Sequence, residues 1–438
     1  MINRRTFLKT ACGTAGLLSG CSSLRFAINP QAIEDELLAQ ARRRIEDHRK
    51  GDGVIVVYGP NGRAIQGATV KVEQLQHDFL FGCNLFMFGR LKDPGYEEKY
   101  RQGFGALLNY ATLGFYWGSY ERERGKPMYD YTDRVVQWCT EHGFRCKGHP
   151  LVWDYLPDPN WLPKSFVEIR ALSAGRVEEI VSRYRGRIDI WDVVNEPTHL
   201  GRTKTRVSEW AMSLGAVPFV ADHLKIARAA NPGATLLIND YRTDPPYDRI
   251  LDGLREDGRL LFDAIGIQSH MHHGLWPLHQ LGEVCDHYSR FGVPIHLTEA
   301  TVVSGSRQVG EAWKPSTPEL EVKQAAYVSK FYTLLFGHPA VRALSWWDFT
   351  DRGAWQGAAA GFLRADMSPK PVYEQLIALI RSEWWTKTEG ATDLRGEYVL
   401  RAFFGRHRIT ARFPNGHSIS QDVDWKQGQP NRFELRSA

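Results

Sequence analysis

The chain has 438 residues, 43% of them hydrophobic and 24% charged, which excludes a disordered polymer and suits one large domain beside a smaller one. Its formal charge of +5 owes three positive charges to Arg4, Arg5 and Lys9 in an acid-free first twenty residues, so the rest is close to neutral. With no Lys/Arg stripe interleaved with aromatics, nucleic acid is not an expected partner.

Taken in chain order, residues 1–20 read as an address. Asn3-Arg4-Arg5-Thr6-Phe7-Leu8-Lys9 resembles a twin-arginine signal, and Leu18-Ser19-Gly20-Cys21 resembles a lipobox. Cleavage before Cys21 would leave that cysteine to carry lipid, and Ser22 in place of Asp resembles sorting to the outer membrane. The expectation is an exported bacterial lipoprotein in the periplasm or at the cell surface, touching the membrane only through its anchor. Thr10 to Gly20 is too short to span a bilayer, and no later run reaches about 18 apolar residues. Cys12 leaves with the signal. Cys83, Cys139, Cys146 and Cys285 match no zinc spacing and are expected as buried thiols, with a Cys139–Cys146 bridge left open.

Residues 21–50 are expected as a linker and a charged helix from Ala32 to Lys50. Residues 51–78 read as strand, turn, strand: Val54–Tyr58, Pro60-Asn61-Gly62, then Ala68–Val72. From 79 to 384 short apolar runs alternate with helical ones. The runs are Phe81–Asn84, Tyr110–Phe115, Arg145–His149, Ile188–Asn195, Thr235–Asn239, Ala264–Gln268, Pro294–Thr298 and Ala343–Trp347. Such runs suit parallel strands buried on both faces. Eight strand–helix pairs predict an α/β fold, a (β/α)8 TIM barrel. An open doubly wound sheet is disfavoured, because no Gly-rich phosphate fingerprint follows the first strand. Residues 385–438 return to strands at Tyr398–Phe403, Ile409–Phe413 and Phe433–Leu435, with a turn at Asn415-Gly416. Isolated strand pairs are rarely stable, so these are expected to join 51–78 in an accessory β-sandwich.

Barrel enzymes gather their chemistry where the C-terminal ends of the strands meet. Two glutamates are expected there: Glu196, ending Trp191-Asp192-Val193-Val194-Asn195-Glu196-Pro197 on strand four, and Glu299, in Leu297-Thr298-Glu299 on strand seven. A lone glutamate after a strand is more often a helix N-terminal carboxylate. Two across one rim point to glycoside hydrolysis, in which one carboxyl protonates the leaving oxygen and the other attacks the sugar or activates water. Asn195 is placed to hold a sugar hydroxyl and His270 to donate to Glu299.

The motifs resemble glycoside hydrolase family 10, the β-1,4-xylanases, over most of residues 80–382. The resemblance rests on the Glu196 segment, Gly148-His149-Pro150-Leu151-Val152-Trp153, Asn239-Asp240-Tyr241, Gly266-Ile267-Gln268-Ser269-His270 and the Glu299 segment. It implies a retaining mechanism without cofactor or metal, with Glu196 as acid/base and Glu299 as nucleophile. It implies that His149, Trp153, Asn195, Gln268 and His270 line the subsite of the sugar being cleaved. Tyr241, Trp347 and Trp355 are similar to further substrate contacts, and the substrate would be a xylan-type polysaccharide or oligosaccharide. The rival readings are an exo-acting β-glycosidase and a glycan-binding lipoprotein that does not hydrolyse.

Two departures stand out. The family's Glu-Asn pair and Lys after strand two are replaced by Gly114-Phe115-Tyr116-Trp117-Gly118, an expected aromatic plug, and Asp154 stands where the family usually has His. His270-Met271-His272-His273 lacks positioned carboxylate partners and is read as a loop, not a metal site. Gly357-Ala358-Ala359-Ala360-Gly361 is read as a flexible rim loop, and Trp346 equally as core or sugar platform.

Overall fold

A computed structural model describes residues 30–155, 157–308 and 310–437. The expected export signal and Cys21 lie outside the described residues. Among the described residues, eight parallel strands close into a barrel: Leu80–Asn84, Tyr110–Gly114, Arg145–His149, Ile190–Asn195, Thr235–Asp240, Ala264–Ile267, Ile295–Val302 and Val341–Trp346. Each pairs with the next, and the eighth returns to the first through Ala343 opposite Leu80. Their residues are almost all buried because helices cover the outside and side chains fill the inside. Leu80, Tyr110, Ile190, Leu237, Ala264 and Ala343 pack together inside the barrel near its N-terminal end, leaving the other mouth for polar groups. Strands three and four approach so closely that a Cβ on Gly148 would sit 2.0 Å from Cζ3 of Trp191, so only glycine fits.

The expected accessory unit forms as two sheets. One orders Glu397–Phe403, Lys50–Tyr58 and Asn431–Arg436; the other orders Lys387–Ala391, Thr69–His77, Gly405–Arg412 and Ser418–Trp425. Ile55, Val57, Val70, Val72, Ile409 and Leu435 fill the space between them. The first two strands do not pair with each other along their length; the turn between them carries the chain from one sheet to the other. Cys83, Cys139, Cys146 and Cys285 are free and buried, so the Cys139–Cys146 bridge does not form.

The N-terminal helix Pro30–Arg49 lies on helix Pro318–Gly337 and buries Leu38, Ala41 and Ile45. It ends at Arg49, whose guanidinium donates to the carbonyls of Phe336 (2.6 Å), His338 (2.7 Å) and Val341 (2.7 Å). Arg49 thus closes the C-terminal end of a barrel helix whose last carbonyls have no helical partner. Removing it takes the donor from three buried carbonyls, of which His338 O also accepts the Val341 N–H at 3.1 Å, and buried acceptors are costly to leave unpaired. Arg49→Met is expected to lower unfolding stability by about 3 kcal/mol, read as a shifted urea midpoint.

Candidate active site

Glu196 directly follows the fourth barrel strand and adopts a left-handed backbone, φ 53° and ψ 46°. A side chain there costs on the order of 1–3 kcal/mol. The turn is held by its N–H donating to Asn239 O at 2.7 Å and by Thr198, whose N–H and hydroxyl donate to Asp240 at 3.0 and 2.9 Å. Glu299 is presented differently. It lies inside the seventh strand, not after it as expected, at a register irregularity between Leu297 and Ala300 against strand eight. Such an irregularity re-aims a side chain, and the Glu299 N–H donates to Gln268 O at 3.1 Å.

The two carboxyls are tied to one amide network. Asn239 Nδ2 donates to Glu299 Oε1 (2.7 Å) and to Asn195 Oδ1 (2.8 Å). Gln268 Nε2 donates to Glu196 Oε1 (3.0 Å) and lies 3.2 Å from the same Asn195 oxygen. His270 Nε2 donates to Glu299 Oε2 at 3.0 Å. Behind Glu299, His149 Nε2 is 3.8 Å from Oε1 while its Nδ1 donates to Asp192 Oδ2 at 2.6 Å. That oxygen also takes Lys147 Nζ at 2.9 Å, inside the barrel and out of contact with water. On the other side, Arg202 pairs with Glu196 Oε2.

These surroundings pull the two groups apart. Burial raises the pKa of Glu196, and the neighbouring Glu299 adds to it; Gln268 and Arg202 oppose this without cancelling it, so the carboxyl titrates above its usual range. Burial also works against an ionised Glu299, but His149, His270 and Lys147 outweigh it and hold its pKa below the usual range. Asp192 follows the same pattern, lowered by Lys147 and His149 against its burial. One carboxyl is therefore poised to give a proton and the other to act as an anion, the division of labour that glycoside cleavage requires.

The carboxyls open on a cleft of about 1270 Å³. Of the residues anticipated there, His149, Trp153, Asn195, His270, Trp347 and Trp355 line it. Gln268 acts from behind Glu196, and Tyr241 stands off the cleft with its hydroxyl 2.5 Å from His199 Nδ1. The expected three-residue aromatic plug reduces to one side chain. Phe115 is core, packed on Trp191 at 5.2 Å, and Trp117 turns toward Trp161 with its Nε1 on Glu121. Tyr116 alone enters the cleft, edge-on to His149 (5.5 Å) and Phe86 (5.9 Å). Trp346 is fully buried, with its Nε1 donating to Ala360 O, and is core. The expected flexible loop at 357–361 is instead packed: Ala358, Ala359 and Ala360 are buried, and Ala359 O accepts from the N–H and hydroxyl of Ser304. His272 is wedged against Trp355 (4.9 Å).

Several site residues escaped the sequence reading. Asn239 bridges both halves and sits two residues before the Tyr241 that was singled out. Lys147 and Asp192 occupy alternate interior positions of adjacent strands, a charge placement legible once those strands are assigned. Asp348 lines the cleft after strand eight; burial pushes its pKa up to about 7, its Oδ1 accepts the Trp355 N–H at 3.1 Å, and its Oδ2 has no partner among the described residues. Arg202 lies in a loop with no periodic or motif signal.

The model of glycosyl hydrolase family 10 matches residues 79–379. The chain is 25% identical over 399 residues to the anti-sigma-I factor RsgI6 of Acetivibrio thermocellus, covering 89% of this chain and 48% of that protein. It is 29% identical over 306 residues to endo-1,4-beta-xylanase B of Thermotoga neapolitana, covering 65% and 84%. The chain thus spans about half the length of the anti-sigma factor and most of that of the Thermotoga protein. Among solved structures, xylanase 10B from Thermotoga petrophila RKU-1 in complex with xylobiose superposes with a TM-score of 0.58 at 24% identity, covering 70% of this chain and 95% of that one. That likeness shows the barrel fold.

The opposed shifts set the expected pH dependence. kcat/KM, which reports groups of the free protein, should be bell-shaped, with its acid limb below the usual carboxylate range from Glu299 and its alkaline limb above it from Glu196. Arg202→Gln removes a cation that favours ionised Glu196, so the alkaline limb should move to higher pH while the acid limb stays in place.

Proposed function

The chain belongs to glycosyl hydrolase family 10, and on that premise we propose that it is a retaining glycoside hydrolase cleaving β-1,4-linked xylan or a related substituted plant polysaccharide by double displacement. The observation that carries this reading is that Glu196 and Glu299 face one cleft, tied to one amide network, with their pKa values shifted in opposite directions. In the first step, protonated Glu196 gives its proton to the glycosidic oxygen as the Glu299 carboxylate attacks the anomeric carbon, forming a glycosyl ester. Glu196, now an anion, takes a proton from water, which attacks the same carbon and releases Glu299. His270 and Asn239 each hold one oxygen of Glu299, fixing its direction of attack. Asn195 spends its Oδ1 on Asn239 and Gln268 and lines the cleft, which leaves its amide N–H groups for a sugar hydroxyl. No step calls for a metal or cofactor.

The xylanase named among the relatives and the xylobiose held by the solved neighbour support a xylan-type substrate. Tyr116, standing in the cleft beside His149, favours a second reading, exo action on chain ends. Binding without hydrolysis is disfavoured, because it gives no reason for two carboxyls set in one cleft with their pKa values shifted in opposite directions. The Arg4-Arg5 signal and the lipobox ending at Cys21 support export and lipid anchoring at the periplasmic or outer surface, which we propose as its location.

Glu299→Gln is expected to abolish turnover of xylan. Glu196→Ala should slow xylan on the order of 10²–10⁴-fold yet largely spare aryl glycosides whose leaving group needs no proton. Equal losses on both substrates would remove Glu196 from the acid role. The first-formed sugar, read by NMR, should keep the β configuration, in mixed oligomers for endo action and as one small sugar for exo action. Cys21→Ala should abolish labelling with radioactive palmitate and shift the protein from the detergent to the aqueous phase on phase partitioning.

A further inference from the structure

Resting on this reading, the leaving part of the substrate must lie against Glu196, since that residue protonates it. The same side of the cleft carries an arginine. The Arg202 guanidinium pairs with Glu196, lies 3.8 Å over the ring of Tyr155 and reaches to 6.0 Å from that of Tyr241. Tyr155 lines the cleft and is exposed, and the Arg202 side chain is itself 26% exposed, so an arriving ligand can reach it.

Arg202 is held there by design of its loop. Buried Asp154 takes the Gly201 N–H on Oδ2 (3.0 Å), and its carbonyl takes the hydroxyls of Thr203 (2.7 Å) and Thr205 (3.1 Å). Thr205 in turn caps helix Arg206–Leu214. The aspartate at 154, a departure in the sequence, is the peg of the arginine loop.

This arrangement poses a charge problem. Among the described residues the only acceptor of the Arg202 guanidinium is Glu196. For the first chemical step Glu196 must be a neutral acid, and then it no longer balances the guanidinium. A cation in a partly buried cleft that loses its anion is costly unless another anion replaces it. Asp154 cannot, because its carboxylate is buried and occupied by the loop. The substrate has to supply the replacement.

We infer that Arg202, stacked on Tyr155, is a recognition site for a carboxylate carried by the leaving-group side of the substrate, a uronic acid residue or branch, and that this carboxylate draws the guanidinium off Glu196 and frees it to carry its proton. When the leaving group departs, Glu196 is an anion and Arg202 returns to it. The bidentate fit of guanidinium to carboxylate makes arginine the residue for such recognition.

The test compares two β-1,4-xylo-oligosaccharides of equal backbone length, one bearing a single glucuronic acid branch on the leaving-group side and one unbranched. Wild type should favour the acidic one by about tenfold or more in kcat/KM at low salt, in line with a charge-assisted hydrogen bond, and added salt should erode that ratio. Arg202→Gln should bring the ratio close to one, and Arg202→Lys, which keeps the charge but not the fork, should retain part of it. A wild-type ratio near one, or a ratio that survives in Arg202→Gln, overturns the inference. Losses in Arg202→Gln that are equal on both substrates also overturn it and make Arg202 a positioning residue for Glu196. A wild type active on the neutral oligosaccharide without preference leaves the hydrolase reading standing; one inert on both, and on an aryl β-xyloside, removes that reading and this inference together.

Discussion

The two carboxyls of the cleft are shifted in opposite directions, and a cation inside the barrel makes the difference. Lys147 sits among interior side chains with no access to water, paired to Asp192. Asp192 holds the Nδ1 side of His149, which turns the other ring nitrogen toward Glu299. Burial alone would favour the neutral form of both glutamates. The chain Lys147–Asp192–His149, with His270 just after strand six, reverses that preference at Glu299 only. Glu196, just past the end of the strand that carries Asp192, meets no comparable interior charge and keeps the burial effect. The asymmetry is set by which strand each residue occupies, so the barrel itself specifies the roles.

That dependence explains what could be read from residues alone. Parallel strands covered on both faces must be apolar, so Ile190–Asn195 and Val341–Trp346 announce themselves, and a glutamate just past such a run lies at the mouth. Glu299 was legible for the same reason, although the irregular pairing that places it inside its strand was not. Lys387–Ala391 and Ser418–Trp425 were missed because much of each is exposed and neither offers a continuous apolar face. The aromatic run after strand two shows the limit most plainly. Composition gives Phe115, Tyr116 and Trp117 the same weight, but backbone direction sends one to the core, one to the cleft and one to a neighbouring tryptophan.

The left-handed backbone of Glu196 also belongs to the geometry that no residue pattern revealed. Glycine would adopt it freely, but glycine has no carboxyl, so the strain accompanies the function. It is sustained by Asn239 O on the Glu196 N–H and by Asp240 gripping Thr198, both on the following strand. Asn239 and Asp240 thus fix the backbone of one glutamate while the Asn239 side chain holds the other. A shift of strand five would disturb both carboxyls together.

The walls of the cleft carry this logic outward. Around strands one, two and eight stand Tyr116, Trp347 and Asp348, with Asp348 raised by burial to about 7 and so largely neutral below that pH. Around strand four stand Glu196, Arg202 and Tyr155. One arm is largely aromatic, with Arg352 after strand eight as its cation; the other pairs a cation with the proton donor itself. Loss of the polar anchors after strand two and gain of Asp154 under the arginine loop fall on these opposite arms. The two departures therefore describe a single change, in which charged recognition is absent from the side of the cleft beside strand two and present on the side where Glu196 delivers its proton.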